Sequence, residues 1–344
     1  MSDRIGIKRY GISGLKSLME SYNEPSFRAS QLVRWLYAEG ISSYHEMSNL
    51  PLPLRLRLEE EEPLSPPELL DRRISEDGTR KYLLRLADGQ CIETVGIPDH
   101  TRLTVCFSTQ VGCAMACLFC ATGSKGLARS LGPGEMVDQL TVVSRDMATR
   151  ITNAVAMGEG EPFSNYDATL EALRIMNSTN GPGIGARHLT LSTCGLTRQI
   201  DRFANEPEQF TLAVSLHSAV QSTRNKLVPA LTDQGLKALR KSLVSYTERT
   251  NRRFSFEVVL IKGINDTPEE VSALVDFARG LLCHVNLIPL NQMSEKVGEH
   301  EPSPMPRCQE ISSILQQAGI DCTVRRSRGS DILGACGQLK GVFI

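Results

Sequence analysis

Apolar positions along the chain fall into three regimes. Over the first 62 residues the spacing is helical: Leu15, Leu18 and Met19, then Leu32, Trp35 and Leu36, recur at three- and four-residue steps. Trp35, the sole tryptophan, is expected to anchor this small helical module. Leu50-Pro51-Leu52-Pro53 interrupts the pattern, and Glu59 to Glu62, followed by Pro63, Pro66 and Pro67, reads as a solvated linker. From about residue 68 to 98 the period becomes two, with strands at 80–86 and 91–97 joined through Asp88-Gly89, a hairpin signal. From 101 onward, strand-like runs at 103–108, 151–157, 187–192, 210–216, 254–260, 284–289 and 321–325 alternate with helical patterns. The helices are expected at 134–149, 165–178, 196–204, 235–249, 268–280 and 306–318. This alternation predicts an α/β fold with right-handed crossovers and a parallel sheet, open or closed into a barrel. The expected organisation is a helical module at 1–62, an acidic linker and β-hairpin extension at 63–100, and a core at 101–344.

Composition narrows the class without choosing a function. Hydrophobic residues make up 41% and charged residues 22%, as in ordinary globular proteins. No run approaches the roughly 18 apolar residues a bilayer span requires. The first eight residues carry no apolar signal core, so a cytoplasmic protein is expected. Ten cysteines in that compartment should stay largely reduced. The net charge of −1 gives no global sign of nucleic-acid binding, but charge is uneven. Nine Lys/Arg face three acidic residues between Arg224 and Lys262, and Arg325-Arg326-Ser327-Arg328 is a candidate phosphate-contacting strip.

Cys113-Ala114-Met115-Ala116-Cys117-Leu118-Phe119-Cys120 places three thiols in eight residues, directly after strand 103–108. Three thiolates on one loop can hold a [4Fe–4S] cube and leave one iron open for a chelating small molecule. A structural zinc loop is the bland alternative, though zinc sites usually pair Cys-x2-Cys with a fourth ligand at similar spacing. Other polar motifs also follow strands, where parallel α/β folds build their sites. These are Gly158-Glu159-Gly160-Glu161-Pro162, Ser192-Thr193-Cys194-Gly195, Ser215-Leu216-His217-Ser218 and Pro289-Leu290-Asn291. A histidine ending a strand is more often structural than catalytic. Cys91, Cys283, Cys308 and Cys322 sit in apolar runs as candidate core residues. Cys106 lies seven residues before Cys113, and Cys336 lies in the glycine-flanked Gly334-Ala335-Cys336-Gly337, where packing explains a thiol poorly.

Together these segments closely resemble the RlmN/Cfr family of radical S-adenosylmethionine (SAM) RNA methyltransferases over nearly the whole length. The likeness runs through Asn23-Glu24-Pro25 to Tyr37, Asp77-Gly78-Thr79-Arg80-Lys81, Ile92 to Pro98, Ser108 to Cys120, Ser215-Leu216-His217 and Asp331 to Leu339. It implies an incomplete (β/α)6 barrel with an RNA-binding N-terminal module. It implies one [4Fe–4S] cluster on Cys113, Cys117 and Cys120, and SAM contacts from Gly160, Glu161, Ser192, Ser215, Leu216, His217 and Asn291. Cys336 would carry the methyl group, Cys106 would resolve it through a transient disulfide, and Glu93 would accept a proton near the substrate. Two SAM molecules would be consumed per turnover. RlmN members methylate carbon 2 of an adenosine in the peptidyl-transferase region of 23S rRNA, and many also act on the adenosine next to the tRNA anticodon. Cfr members methylate carbon 8 of the same rRNA adenosine. Implied partners are 23S rRNA, tRNA and an electron donor such as flavodoxin or ferredoxin, with the enzyme a monomer away from membranes. Two departures stand near the SAM motifs: Glu159 where a methionine is usual, expected to add an acid beside SAM, and Cys194 where serine is frequent.

Overall fold

The computed structural model describes residues 6–292 and 300–340. The N-terminal module contains α1 (Gly11–Ser21), α2 (Phe27–Val33) and α3 (Leu52–Glu61). Leu15, Leu18, Met19, Leu32 and Leu36 form its buried face, as their spacing requires. Trp35 does not anchor that core. It packs half-buried at the edge, its indole N–H donating to Asn49 Oδ1 at 2.6 Å. The acidic run at 59–62 is likewise no linker but the last turn of α3 and its end. Proline is tolerated in a first helical turn, and Leu54 and Leu58, four apart, bury one stripe of the helix. Glu62 then turns inward to Arg9, at 2.8 Å. The module docks on the core through Ile12 N–H, which donates to Glu171 Oε1 at 2.7 Å.

Next come β1 (Glu68–Ile74), a strand beyond the two expected in the period-two stretch, then β2 (Arg80–Arg85), β3 (Cys91–Asp99) and β4 (Arg102–Cys106). β1 to β4 pair antiparallel in sequence order, and the β2–β3 turn at Asp88-Gly89 falls where expected, with Gly89 at φ +84°. A ribbon of β5 (Gln110–Gly112) and β6 (Leu127–Ser130) follows, and then α4 (Pro133–Met147). From there strands and helices alternate: β7 (Asn153–Ala156), α5 (Tyr166–Asn177), β8 (Leu189–Thr193), α6 (Thr197–Phe203), β9 (Thr211–Ser215). The chain continues with α7 (Gln221–Leu227), α8 (Leu236–Thr250), β10 (Phe254–Leu260), α9 (Pro268–Ala278), β11 (Cys283–Pro289), α10 (Met305–Gln317) and β12 (Cys322–Val324).

The large sheet runs β1-β2-β3-β4-β7-β8-β9-β10-β11-β12, parallel from β4 onward. Parallel neighbours added always on the same side are the winding of a barrel, not of a doubly wound sheet, whose order reverses at its middle. Closure fails because β3 occupies the edge of β4 that β12 would need. The result is the incomplete (β/α)6 barrel, with the antiparallel hairpin as its extension. Phe163, Phe203, Tyr246, Phe254 and Phe256 make consecutive ring contacts through its core.

Candidate active site

The loops at the carboxyl ends of β4, β7, β8 and β9 converge on one cavity with about 880 Å³ of empty space, its open mouth included. Cys113, Cys117 and Cys120 line it together with Gly160, Glu161, Ser192, Ser215 and His217. The β5–β6 ribbon, too short to be read in the sequence, shapes the thiol loop. Cys113 N–H donates to Gly126 O at 2.8 Å, and a Cβ on Gly112 would meet that same oxygen at 2.1 Å, so only glycine fits. Leu118 N–H bonds to Leu227 O at 3.0 Å and Ala121 N–H to Gly337 O at 2.7 Å. Burial pushes the Cys113 thiol up to about 12 and raises Cys120 as well, so these groups give up their protons on meeting a metal rather than before.

The donor set suits the cluster that its spacing suggests. The three thiols share the lining with apolar Met115, Phe119, Val259, Ile288 and Leu290, with hydroxyls, with His217 and Arg325, and with two carboxylates, Glu161 and Glu257. Among the described residues no three His, Cys, Asp or Glu side chains close around a point that would hold a single metal ion. Thiolates on different irons of a cube stand farther apart than the ligands of one ion, so the two observations agree.

Glu161 is buried, with Oε1 accepting from Phe163 N–H at 2.9 Å and Oε2 from Cys194 N–H at 2.7 Å. Burial raises its pKa in spite of those bonds. Ser192 Oγ and Ser215 Oγ stand 3.3 Å apart, the latter beside Glu257 in the β9–β10 register. His217 adopts φ +59° and is fixed on several sides. Its Nδ1 accepts from Val259 N–H at 3.2 Å, which leaves Nε2 to carry the proton, and Asn265 Nδ2 donates to its carbonyl at 2.7 Å. Burial, with the Arg224 charge behind it, pushes its pKa down to about 3, so the ring is neutral. Phe119 meets it edge-on with centroids 4.4 Å apart. Leu216 is core and is not part of the cavity lining.

The tail closes the cavity from the side. Cys336 lines it with an accessible thiol, and Asn291 Nδ2 donates to the Cys336 carbonyl at 3.1 Å, so Asn291 meets the tail rather than the lining. Thr122 Oγ1 donates to Leu339 O at 2.7 Å. Arg325, which the sequence reading placed in a phosphate strip, lines the cavity too, held at 3.4 Å by Glu257. Crowding raises the Cys336 thiol, with Arg325 opposing the rise. Cys106 is buried behind it and packs on Leu339; burial, then the charge of Cys336, pushes it up to about 12. Both thiols are free.

Two glutamates sit behind this floor. Glu93 is 0% exposed, with Lys81 Nζ 3.0 Å from Oε1 and Lys340 N–H donating to Oε2 at 2.5 Å; it does not reach the cavity. Glu159, expected beside SAM, points the other way. It is 2% exposed and accepts from Glu93 N–H at 2.8 Å and Gly112 N–H at 3.4 Å. Cys283, Cys308 and Cys322 are buried as expected, while Cys91 is half-buried.

An open parallel barrel whose first loop carries Cys-x3-Cys-x2-Cys defines a radical SAM enzyme. The family profile "Radical SAM superfamily" matches residues 107–278, and "Ribosomal RNA large subunit methyltransferase N-terminal domain" matches residues 8–62. The chain belongs to the RlmN family of radical SAM RNA methyltransferases. A probable dual-specificity RNA methyltransferase RlmN of Clostridioides difficile is 40% identical over 338 residues, 98% of each chain. That of Alkaliphilus oremlandii is 41% identical over 339 residues, again 98% of each. The crystal structure of a radical SAM methyltransferase from Sphaerobacter thermophilus shares 42% identity and superposes with a TM-score of 0.92, covering 98% of this chain and 99% of the other. SAM and a [4Fe–4S] cluster are therefore its cofactors and RNA its substrate. No described helix is long and apolar enough to cross a membrane.

Proposed function

We propose that the chain methylates carbon 2 of an adenosine in the peptidyl-transferase region of 23S rRNA and of the adenosine next to the tRNA anticodon. The reading rests above all on the tail: it brings the accessible Cys336 thiol onto the same cavity as Cys113, Cys117 and Cys120, with Cys106 behind it. Relatives named dual-specificity RNA methyltransferases support the pairing of rRNA with tRNA.

Cys113, Cys117 and Cys120 hold the cluster, and Gly160, Glu161, Ser192, Ser215 and His217 form the wall that receives SAM, Leu216 and Asn291 supporting it from the core and the tail. Carbon 2 of adenine is not nucleophilic, and the bound cluster supplies the one-electron reduction that turns SAM into a hydrogen-abstracting reagent. The thiolate of Cys336 first takes a methyl group from one SAM by displacement, its charge favoured by the Arg325 guanidinium. A second SAM, bound on the cluster, would supply the group that takes one hydrogen from the Cys336-bound methyl. That carbon then joins carbon 2 of the base, and the surplus electron of the adduct would return to the cluster. Cys106 thiolate then attacks the Cys336 sulfur, and the carbon–sulfur bond breaks with its electron pair left on the methylene carbon. That carbon takes up a proton to become the methyl group, and a disulfide forms that an external thiol reduces. Glu93 takes the ring proton. Its bond to Lys340 N–H must open first, so this step requires the tail to move. A reducing cytoplasm with a flavodoxin- or ferredoxin-like donor suits these needs, and the proposed acting unit is the monomer.

Anaerobic incubation of the reconstituted enzyme with SAM, dithionite and unmodified rRNA or tRNA tests the reading by nucleoside mass spectrometry. 2-Methyladenosine in both RNAs is the expected result. 8-Methyladenosine, or no methylated adenosine, would overturn it.

A further inference from the structure

Behind the thiol loop lies a charge for which the proposed chemistry has no use. Arg224, on α7, is 2% exposed. Its guanidinium donates to three backbone carbonyls, those of Ser215 at 3.1 Å and of Leu216 and Cys194 at 2.5 Å each. None of these acceptors is a carboxylate. Burying a guanidinium on neutral acceptors alone is costly, and the cost falls when negative charge arrives nearby. The helix that carries it touches the thiol loop directly, since Leu227 O accepts from Leu118 N–H at 3.0 Å.

Cys194 connects the two. Its N–H is tied to Glu161 Oε2 at 2.7 Å and its carbonyl to Arg224, so its position is set from both sides. Its thiol lines the cavity together with Cys117 and packs against the same apolar cluster. A thiol keeps its proton at neutral pH and so acts as the donor toward a thiolate.

We propose that Cys194 and Arg224 form an outer electrostatic support for the cluster at Cys117 and raise its reduction potential. The thiol does so by donating a hydrogen bond to the ligand sulfur, the guanidinium by its uncompensated charge. The inference rests on the proposed ligation by Cys117. Adding an electron makes the cluster and its thiolates more negative, and donors and cations nearby stabilise that state more than the oxidised one. The apolar wall of Met115, Phe119, Val259 and Ile288 strengthens both effects by excluding water. Arg224 also pins the ends of β8 and β9, but that role alone changes stability and leaves the potential where it was.

The test is an EPR-monitored redox titration with dithionite and mediators on the anaerobically reconstituted full chain, without SAM or RNA. At the parent's midpoint, Cys194→Ala is expected to show an about tenfold lower reduced-to-oxidised ratio, a shift of about −59 mV for one electron. Cys194→Ser, whose hydroxyl still donates, should stay within about twofold of the parent. Arg224→Met should shift the same way as Cys194→Ala; should it fail to fold, the two Cys194 variants decide alone. Unchanged midpoints at equal iron content would overturn the proposal. So would loss of the cluster in Cys194→Ala, which would make Cys194 a ligand. A parent chain that binds no iron would overturn the ligand assignment itself, an outcome distinct from a titration that shows no shift.

Discussion

Cys113, Cys117 and Cys120 occupy one eight-residue loop tied to the β5–β6 ribbon by the Cys113 N–H bond to Gly126 O, whereas Cys106 and Cys336 come together only through tertiary structure. The first set is shaped by local geometry, through a glycine that no other residue can replace and a ribbon that closes the loop. The second joins a strand end to a tail that accepts hydrogen bonds from Ala121, Thr122 and Asn291 and donates from Gln338 and Lys340. A rigid local cradle suits a resident cofactor. A thiol brought in by a distant tail suits the role proposed for it, to be alkylated and then to present and release the carbon.

The sharpest way to break this contrast is to remove one thiol from each set. Cys117→Ala should lose the cluster, and with it both SAM cleavage and RNA methylation; iron content and deoxyadenosine yield measure this. Cys336→Ala should keep the iron and still release deoxyadenosine, yet lose methyl transfer by about a thousandfold or more, as removal of a covalent nucleophile does. Equal behaviour of the two variants would erase the distinction between cradle and tail. Next in size is the support beneath the tail. Lys81→Met leaves the buried Glu93 carboxylate without its cation and should destabilise the fold by about 3–5 kcal/mol, read from denaturant midpoints.

A smaller, pH-dependent effect comes from Glu159, which links the two regions through Glu93 and Gly112. Burial, with the Glu93 charge adding to it, pushes its pKa up from 4.5 to about 7. The folded chain then keeps a proton that the unfolded chain has lost. Stability should therefore fall as pH rises from about 4.5 to 7 and level off above, by about 3 kcal/mol in all. Glu159→Gln should flatten that slope in unfolding curves taken between pH 5 and 8; an unchanged slope would remove Glu159 from the account.

What could be read from the sequence, and what could not, follows the range of the interactions. Central parallel strands such as 254–260 and 284–289 stand out as short runs rich in aromatic and β-branched residues, with Ser255 and Glu257 in the first and Asn286 in the second alternating with buried apolar positions. The cradle was legible because its three thiols lie within eight residues. α3 was hidden because four glutamates masked the Leu54–Leu58 stripe, and β5, at three residues, is too short to show a period. The hairpin register already placed Lys81 and Glu93 on one face of the sheet. Nothing local, however, revealed that the tail covers that face, so their burial as a pair was not legible. Glu159 was misplaced for a related reason: sequence position puts it between two cavity residues, Gly158 and Gly160, while its side chain turns away toward β3. Arg224 gave only a charge count, because its three acceptors belong to two other segments of backbone.

The central claim is that Cys336 carries the transferred carbon. Peptide mass spectrometry of the reconstituted enzyme, incubated with SAM and without RNA, tests it most directly. The account predicts one methyl group on the Cys336 peptide and none on the Cys106 peptide. An unmodified Cys336 in a preparation that goes on to methylate RNA would contradict it.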